Sequence, residues 1–418
     1  MLRLMMCRKE TEVAQSVSLG DDVLPLGERL SIGVLFQTFP LRKVKAVLRS
    51  EGKASVRERA LPNHVVIYYV LMLALFMGDS YREVMRRLLE GLRHARRSTG
   101  EVKLLGKSGI SQARARLGHG PFRRLYEELV TPVATKATKG AWYKRWLVVS
   151  LDGSTMDVAD TPDNEEEFGR EEGSRGPSAF PKIRLVTLIE SGTRVLFGAV
   201  MGAYGGPNAT SEMELAWQVI GNLRKGMLCL ADRYYLGFDF WQAACATGAD
   251  LLWRVKSRHI LEPQRQLPDG SYLSKLYPTQ YDRKTDRNGI WVRVIEYKFK
   301  WQRETEVYRL ITTILDHEEA PAEELAALYH ERWEVETALG EVKTHLRGSG
   351  VVLRSKTPDL VRQEFYGFLL AYFAVRGVMH EAALEADEDP DKLSFLHAVK
   401  VIRRKIPAFG IFPPAALA

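Results

Sequence analysis

Residues Trp146–Asp152 read WLVVSLD, an apolar run closed by a single acid. A short run of this kind, rich in Val and Leu, reads as a buried strand. Two more β-rich runs follow, Lys182–Glu190 (KIRLVTLIE) and Arg194–Tyr204 (RVLFGAVMGAY), split by the Ser191-Gly192 turn. Residues 210–224 form a helical pattern with Thr210 or Ser211 at its start. Met227–Asp232 (MLCLAD) is another apolar strand closed by an acid, and Phe238–Ala246 and Leu251–Val255 read as helix and strand. After a polar stretch with turn signals at Pro268-Asp269-Gly270 and Asn288-Gly289, Tyr308–Leu315 returns to the strand pattern. One long helix is expected from Pro321 to Arg347, stopped by Gly348 and Gly350, and another over 360–384. Three consecutive strands ahead of alternating helices and strands predict a ribonuclease-H-like mixed sheet of the α/β class. A two-domain Rossmann-type enzyme is the alternative, weakened by the missing GxGxxG and the antiparallel opening.

Upstream, apolar positions recur at helical spacing in 65–92 and 110–133. The expected organisation is an all-helical N-terminal domain over 1–145 and a ribonuclease-H-like domain over 146–256 and 305–385. A β-rich insertion subdomain covers 257–304, and a C-terminal tail covers 386–418.

The chain has 418 residues, 60 Lys+Arg and 52 Asp+Glu, for a formal charge of +8. The distribution of charge says more than the sum. Residues 81–126 hold twelve Lys/Arg against three Glu, whereas 157–172 hold eight Asp/Glu and one Arg. A concentrated basic surface suits a polyanion. Gln112, Arg114 and Arg116 open a helix there with side chains able to reach bases and phosphates. Three unclustered cysteines, Cys7, Cys229 and Cys245, exclude a disulfide framework and point to a reducing cytoplasm. The longest apolar run, Val65–Met77, is too short to span a bilayer, and no membrane partner is expected. Gly106-Lys107-Ser108 ends like a P-loop, but Glu101 stands where its first glycine is needed, which argues against an NTPase.

Asp152 and Asp232 each close an apolar strand, and two such acids on neighbouring strands can share a divalent metal. In the long helix, Tyr329, Arg332, Glu336 and Lys343 fall within one stripe of about 60° at 100° per residue. Glu334 and Glu341 fall on another face. A carboxylate flanked by a phenol, a guanidinium and an ammonium is neither a core stripe nor a mixed solvated face. It suits metal binding beside phosphate binding.

Tyr329-x2-Arg332-x3-Glu336-x6-Lys343 resembles, without gaps, the YREK signature of IS4-type DDE transposases. Leu151-Asp152-Gly153-Ser154-Thr155 and Leu230-Ala231-Asp232-Arg233-Tyr234-Tyr235 are similar to that family's first and second acid motifs. Leu353–Pro358, Val361–Glu364 and, upstream, Ser80–Val84 and Gln112–Gly118 also resemble it. The resemblance spans roughly residues 57–378. It implies cut-and-paste excision and strand transfer of an insertion sequence, often through a hairpin intermediate. Asp152, Asp232 and Glu336 would bind two Mg²⁺ ions, with Mn²⁺ able to substitute. Tyr329, Arg332 and Lys343 would hold the DNA backbone, and Arg233 could contribute. An aromatic residue of the β insertion would stack on a flipped base. Trp253, Trp291 and Trp301 are the candidates; Trp291 stands among the expected DNA-binding residues. The implied partners are double-stranded DNA at terminal inverted repeats, target DNA and a second copy of the chain in a synaptic homodimer. The implied setting is a bacterial cytoplasm, with work at the nucleoid. The alternatives are a metal-dependent nuclease that cuts without joining, and a non-catalytic DNA-binding regulator. Three clustered carboxylates beside DNA would weaken a pure binder.

Overall fold

The computed structural model describes residues 32–55, 61–94, 106–174, 176–301, 304–346 and 352–408. Residues 1–31 of the expected N-terminal domain and 409–418 of the expected tail lie outside these.

Six helices precede the sheet among the described residues: α1 (Ile32–Thr38), α2 (Leu41–Ser50), α3 (Asn63–Leu75), α4 (Tyr81–His94), α5 (Lys107–Leu117) and α6 (Gly120–Leu129). Helix α3 is apolar on every side and buried almost throughout, so its neighbours must surround it.

The sheet begins with β1 (Trp142–Tyr143) and β2 (Trp146–Asp157). A connection carrying α7 (Pro162–Phe168) and the small hairpin β3 (Glu172–Gly173) with β4 (Gly176–Pro177) leads to β5 (Lys182–Glu190) and β6 (Leu196–Ala203). Then come α8 (Glu212–Val219), β7 (Met227–Ala231), α9 (Phe238–Ala246) and β8 (Asp250–Arg254). Ser211 caps α8 with a reciprocal capping box to Glu214. The next elements are β9 (Arg265–Gln266), β10 (Tyr272–Leu276), α10 (Gln280–Thr285), β11 (Ile290–Trp301) and β12 (Glu304–Thr312). The strand order is β6-β5-β2-β7-β8-β12-β11-β10-β9, with β1 on β2. The central pairs β2–β7 and β7–β8 are parallel, and the flanking pairs are antiparallel. This is the mixed sheet of a ribonuclease-H-like α/β fold. The strands within 257–304 extend this one sheet beyond β12 and form no sheet apart.

Four helices follow the sheet among the described residues: α11 (Ala322–His330), α12 (Trp333–Gly340) with a π-helical turn Glu341–Leu346 behind it, then α13 (Pro358–Glu385) and α14 (Phe395–Ala408). Two expectations change here. The helix expected from Pro321 to Arg347 is broken at Glu331-Arg332, where backbone bonds tighten to three residues (Glu331 N to Leu328 O, 3.0 Å). The expected tail 386–418 contains α14, whose Phe395, Val399 and Ile402 are buried; Arg403 Nε donates to Leu75 O at the end of α3.

Helix α13 is the hub. It packs on α3, α6 and the π turn, and its core is continuous with that of the N-terminal helices. A Cβ on Gly367 would meet Val70 at 2.7 Å, so glycine permits the close approach of α13 to α3. The opposite face of the sheet is a separate core of Trp146, Val148, Leu228, Leu230 and Leu252 under Leu325, Leu328 and Tyr329 of α11.

Candidate active site

Alternation along the strands fixes which side chains meet. Trp146 and Val148, Leu228 and Leu230, and Leu252 all face α11. By the same parity Asp152, Asp232 and Arg254 face that side too. Leu151 pairs with Ala231, and Ala231 with Trp253, in parallel register. The next positions, Asp152, Asp232 and Arg254, therefore sit at one level along the carboxyl end of the sheet. Asp152 is not strand-terminal as expected. Strand β2 continues to Asp157 because β5 continues to pair with it, while its other neighbour β7 ends at Ala231.

Helices α11 and α12 bring the rest. The Tyr329 hydroxyl donates to Ala231 O at 3.2 Å, the carbonyl preceding Asp232. Arg332 Nη1 lies 3.4 Å from Asp152 Oδ2. The Arg332 guanidinium is held above its usual range, against its burial, by Tyr329, Asp152, Asp232 and Glu336 together. Glu336 is exposed on α12. Lys343, on the π turn, donates from Nζ to Ser154 Oγ at 2.6 Å. Burial pushes Asp152 up to about 6. The Arg332 charge and the Gly153 N–H (2.9 Å) pull the other way, and Glu212 and Asp232 add to the rise.

Glu212 is an acid that the sequence reading missed. It lies over Gly153, where a Cβ would meet its carboxyl carbon at 2.6 Å. Tyr235 OH donates to its Oε1 at 2.7 Å. Its place by Asp152 depends on the packing of α8 on β5 and β6 and leaves no local pattern. Arg254 was missed because its place depends on the register of β8 against β7.

The remaining expected residues separate. Tyr329 is 4% exposed, so its phenol does not face DNA; its hydroxyl is committed to the strand end. Arg114 is 2% exposed and donates to Gln363 Oε1 at 2.8 Å and Ser355 Oγ at 3.0 Å. It ties α5 to α13 and does not reach a DNA surface. Gln112 and Arg116 are exposed on α5, and Arg233 is exposed beside Asp232. Trp253 is fully buried, whereas Trp291 is 46% exposed with Lys275 Nζ 5.0 Å above its ring. The side chain of Trp301 lies outside the described residues. Helix α2 adds a basic face that the sequence reading passed over: Arg42, Lys43, Lys45 and Arg49 are exposed, and none is ion-paired among the described residues.

Among the described residues no three His, Cys, Asp or Glu side chains stand close enough to form a metal cluster. The donor chemistry nonetheless fits a hard divalent cation. Two carboxylates occupy adjacent register positions, a third lies on the facing helix, and a guanidinium already rests among them.

Two family models match the chain. "Insertion element 4 transposase N-terminal" covers residues 29–127, and "Transposase DDE domain" covers 146–374. The chain is 28% identical over 366 residues to the Escherichia coli K12 transposase InsG for insertion sequence element IS4, covering 87% of this chain and 80% of that protein. It is 26% identical over 233 residues to the putative transposase InsZ of the same strain, covering 55% of this chain and 73% of that one.

Proposed function

The chain belongs to the IS4 family of DDE transposases, and from that premise we propose that it excises an insertion sequence by cut-and-paste and joins it to target DNA through a hairpin intermediate. The observation that carries this reading is the Asp152–Asp232 pair at adjacent register positions, with Arg332 facing both and Glu336.

DDE transposases use a divalent metal. In this chain Asp152 and Asp232 would hold it and Glu336 would complete the set, with Mg²⁺ the expected ion and Mn²⁺ a substitute. When bound, it supplies Lewis-acid stabilisation of charge on the reacting phosphate and lowers the pKa of the attacking water or 3′-OH. The chain's own groups do the positioning. Arg332 and Lys343 present cations on the side of the carboxylates where a phosphodiester would approach. Arg offers a planar fork to two phosphate oxygens and Lys a point charge. Tyr329 holds the carbonyl next to Asp232, so the second acid keeps its place. In each step the attacking oxygen forms a bond to phosphorus in line with the bond that breaks. The leaving 3′ oxygen takes up a proton. The basic face of α2 and the exposed Arg116 supply backbone contacts to the insertion-sequence end, and Trp291 is available to stack on a flipped base. A homodimer holding two ends is part of this reading.

The test is cleavage of duplexes carrying the terminal inverted repeats that flank the gene, with Mg²⁺ or Mn²⁺. Cleavage at repeat ends, hairpin ends on a denaturing gel and joining to a target support the proposal. Cleavage without joining points to a nuclease. Asp152→Asn and Glu336→Gln should abolish cleavage and retain end binding; cleavage equal to wild type in either variant refutes the site.

A further inference from the structure

Arg254 completes a row whose first two members are Asp152 and Asp232. It is the last residue of β8, one register position beyond the Trp253–Ala231 pair, so it stands beside Asp232 as Asp232 stands beside Asp152. Neighbouring strands lie roughly 4.8 Å apart, and all three side chains leave the same face of the sheet. Arg254 is therefore within one side-chain length of the proposed reacting centre, on the side opposite Asp152.

Its surroundings fix its orientation. The Arg254 guanidinium carbon lies 3.8 Å from the centre of the Tyr308 ring, a stacked arrangement that keeps a planar cation in one plane. Tyr308 in turn packs on Tyr297 (5.6 Å between centroids) and His330 (5.9 Å). His330 adjoins Tyr329, and Arg254 acts electrostatically on both Tyr329 and Tyr297. The Tyr297 hydroxyl is buried with no hydrogen-bond partner among the described residues. An oriented guanidinium on an aromatic shelf, half-buried and level with two metal-binding carboxylates, has the makings of an oxyanion site.

We propose that Arg254, stacked on Tyr308, binds a backbone phosphate of the DNA end next to the scissile one, on the Asp232 side. This rests on the transposase reading and extends its active site beyond Tyr329, Arg332, Glu336 and Lys343. The bound phosphate would set the register of the strand against Asp152 and Asp232.

The test uses full-length protein and a repeat-end duplex bearing single methylphosphonates, which remove one backbone charge at a time. Wild type should lose affinity and cleavage at one position beside the scissile phosphate. Arg254→Ala should bind the unmodified duplex about tenfold more weakly. The slope of log affinity against log salt should fall by about 1. That variant should also no longer respond to the methylphosphonate at that one position. A protein that melts like wild type, binds and cuts like wild type, and still responds at every position overturns the proposal. Should Arg254→Ala melt early, Arg254→Lys decides, since it keeps the charge and loses the planar stack. Weaker binding with the response at that position blunted supports the site; wild-type behaviour overturns it. Absence of cleavage by wild type itself would count against the transposase reading alone, because the salt slope is read from binding.

Discussion

The hydroxyl of Tyr329 on α11 donates to the backbone carbonyl of Ala231, 98 positions earlier, at the end of the strand that delivers Asp232. That bond gives the tyrosine a mechanical task. Tyr329→Phe should remove this bond to a buried carbonyl, at about 1 kcal/mol of stability. Cleavage should fall while affinity for the DNA end stays within about twofold. Urea unfolding together with a gel shift separates the outcomes. Lost affinity at unchanged stability would mean that the phenol touches DNA after all.

Arg114 makes the opposite prediction from an exposed basic residue. It is buried between α5 and α13, and Gln363 closes the contact by donating to Arg114 O at 3.0 Å and Gly118 O at 2.8 Å. Arg114→Ala removes donors from two buried acceptors and leaves a cavity, at about 3 kcal/mol or more. The melting temperature should drop by several degrees, and the fraction still folded should bind DNA with an unchanged salt slope. A changed slope with an unchanged melting temperature would restore a DNA-facing role.

These two residues mark what local pattern conveys. Asp152 and Asp232 are readable because an acid after an apolar run is a local signal, and the order of the runs predicts the mixed sheet. Arg114 is misread because its burial is imposed by Gln363 and Ser355, about 240 positions away. The helix break at Glu331-Arg332 has no Pro or Gly to announce it. Its neighbours Tyr329 and Arg332 are instead drawn to Ala231 and Asp152. Arg254 acquires meaning only from the register of β8 on β7, and Glu212 only from the packing of α8 on β5 and β6.

Helix α2 carries a charge prediction. Arg42, Lys45 and Arg49 lie within about 60° of one another around the helix axis. Val44, Val47 and Leu48 on the other side are buried. A triple change of these three cations to Gln should leave stability within about 1 kcal/mol, as expected for exposed unpaired positions. It should weaken end binding and lower the salt slope by up to about 3. Fluorescence anisotropy from low to moderate salt measures it; an unchanged slope would remove α2 from the DNA surface.

His380 gives a pH dependence that belongs to the fold and not to catalysis. Its Nε2 lies 2.8 Å from the Thr138 hydroxyl, and burial lowers its pKa below the usual 6.5. A histidine depressed in the folded state is neutral in both states above 6.5. The unfolded chain then takes up the proton first as pH falls. Stability is full above 6.5 and declines through the more acidic window. Thermal melts from pH 8 to pH 5 should show a steeper acid loss for wild type than for His380→Asn. Equal slopes would assign the acid sensitivity elsewhere.

Glu341 opens the π turn that carries Lys343, and its carboxylate is 5% exposed. Arg194 Nη1 lies 3.3 Å from Oε1, Tyr372 donates to Oε2 at 3.0 Å, and Arg376, fully buried on α13, pairs with the same oxygen. Such a network is not a free gain, because burying three charges costs desolvation; removing one partner is far worse than never having built it. Glu341→Gln should therefore cost about 3–5 kcal/mol. Glu341→Asp, which keeps the charge on a shorter arm, should cost less. The two differ in a second readout. In folded Glu341→Asp the π turn shifts, Lys343 loses its 2.6 Å contact with Ser154, and cleavage should fall more than DNA affinity. Wild-type cleavage in a folded Glu341→Asp protein would show that the buried ion network stabilises α13 without steering the lysine.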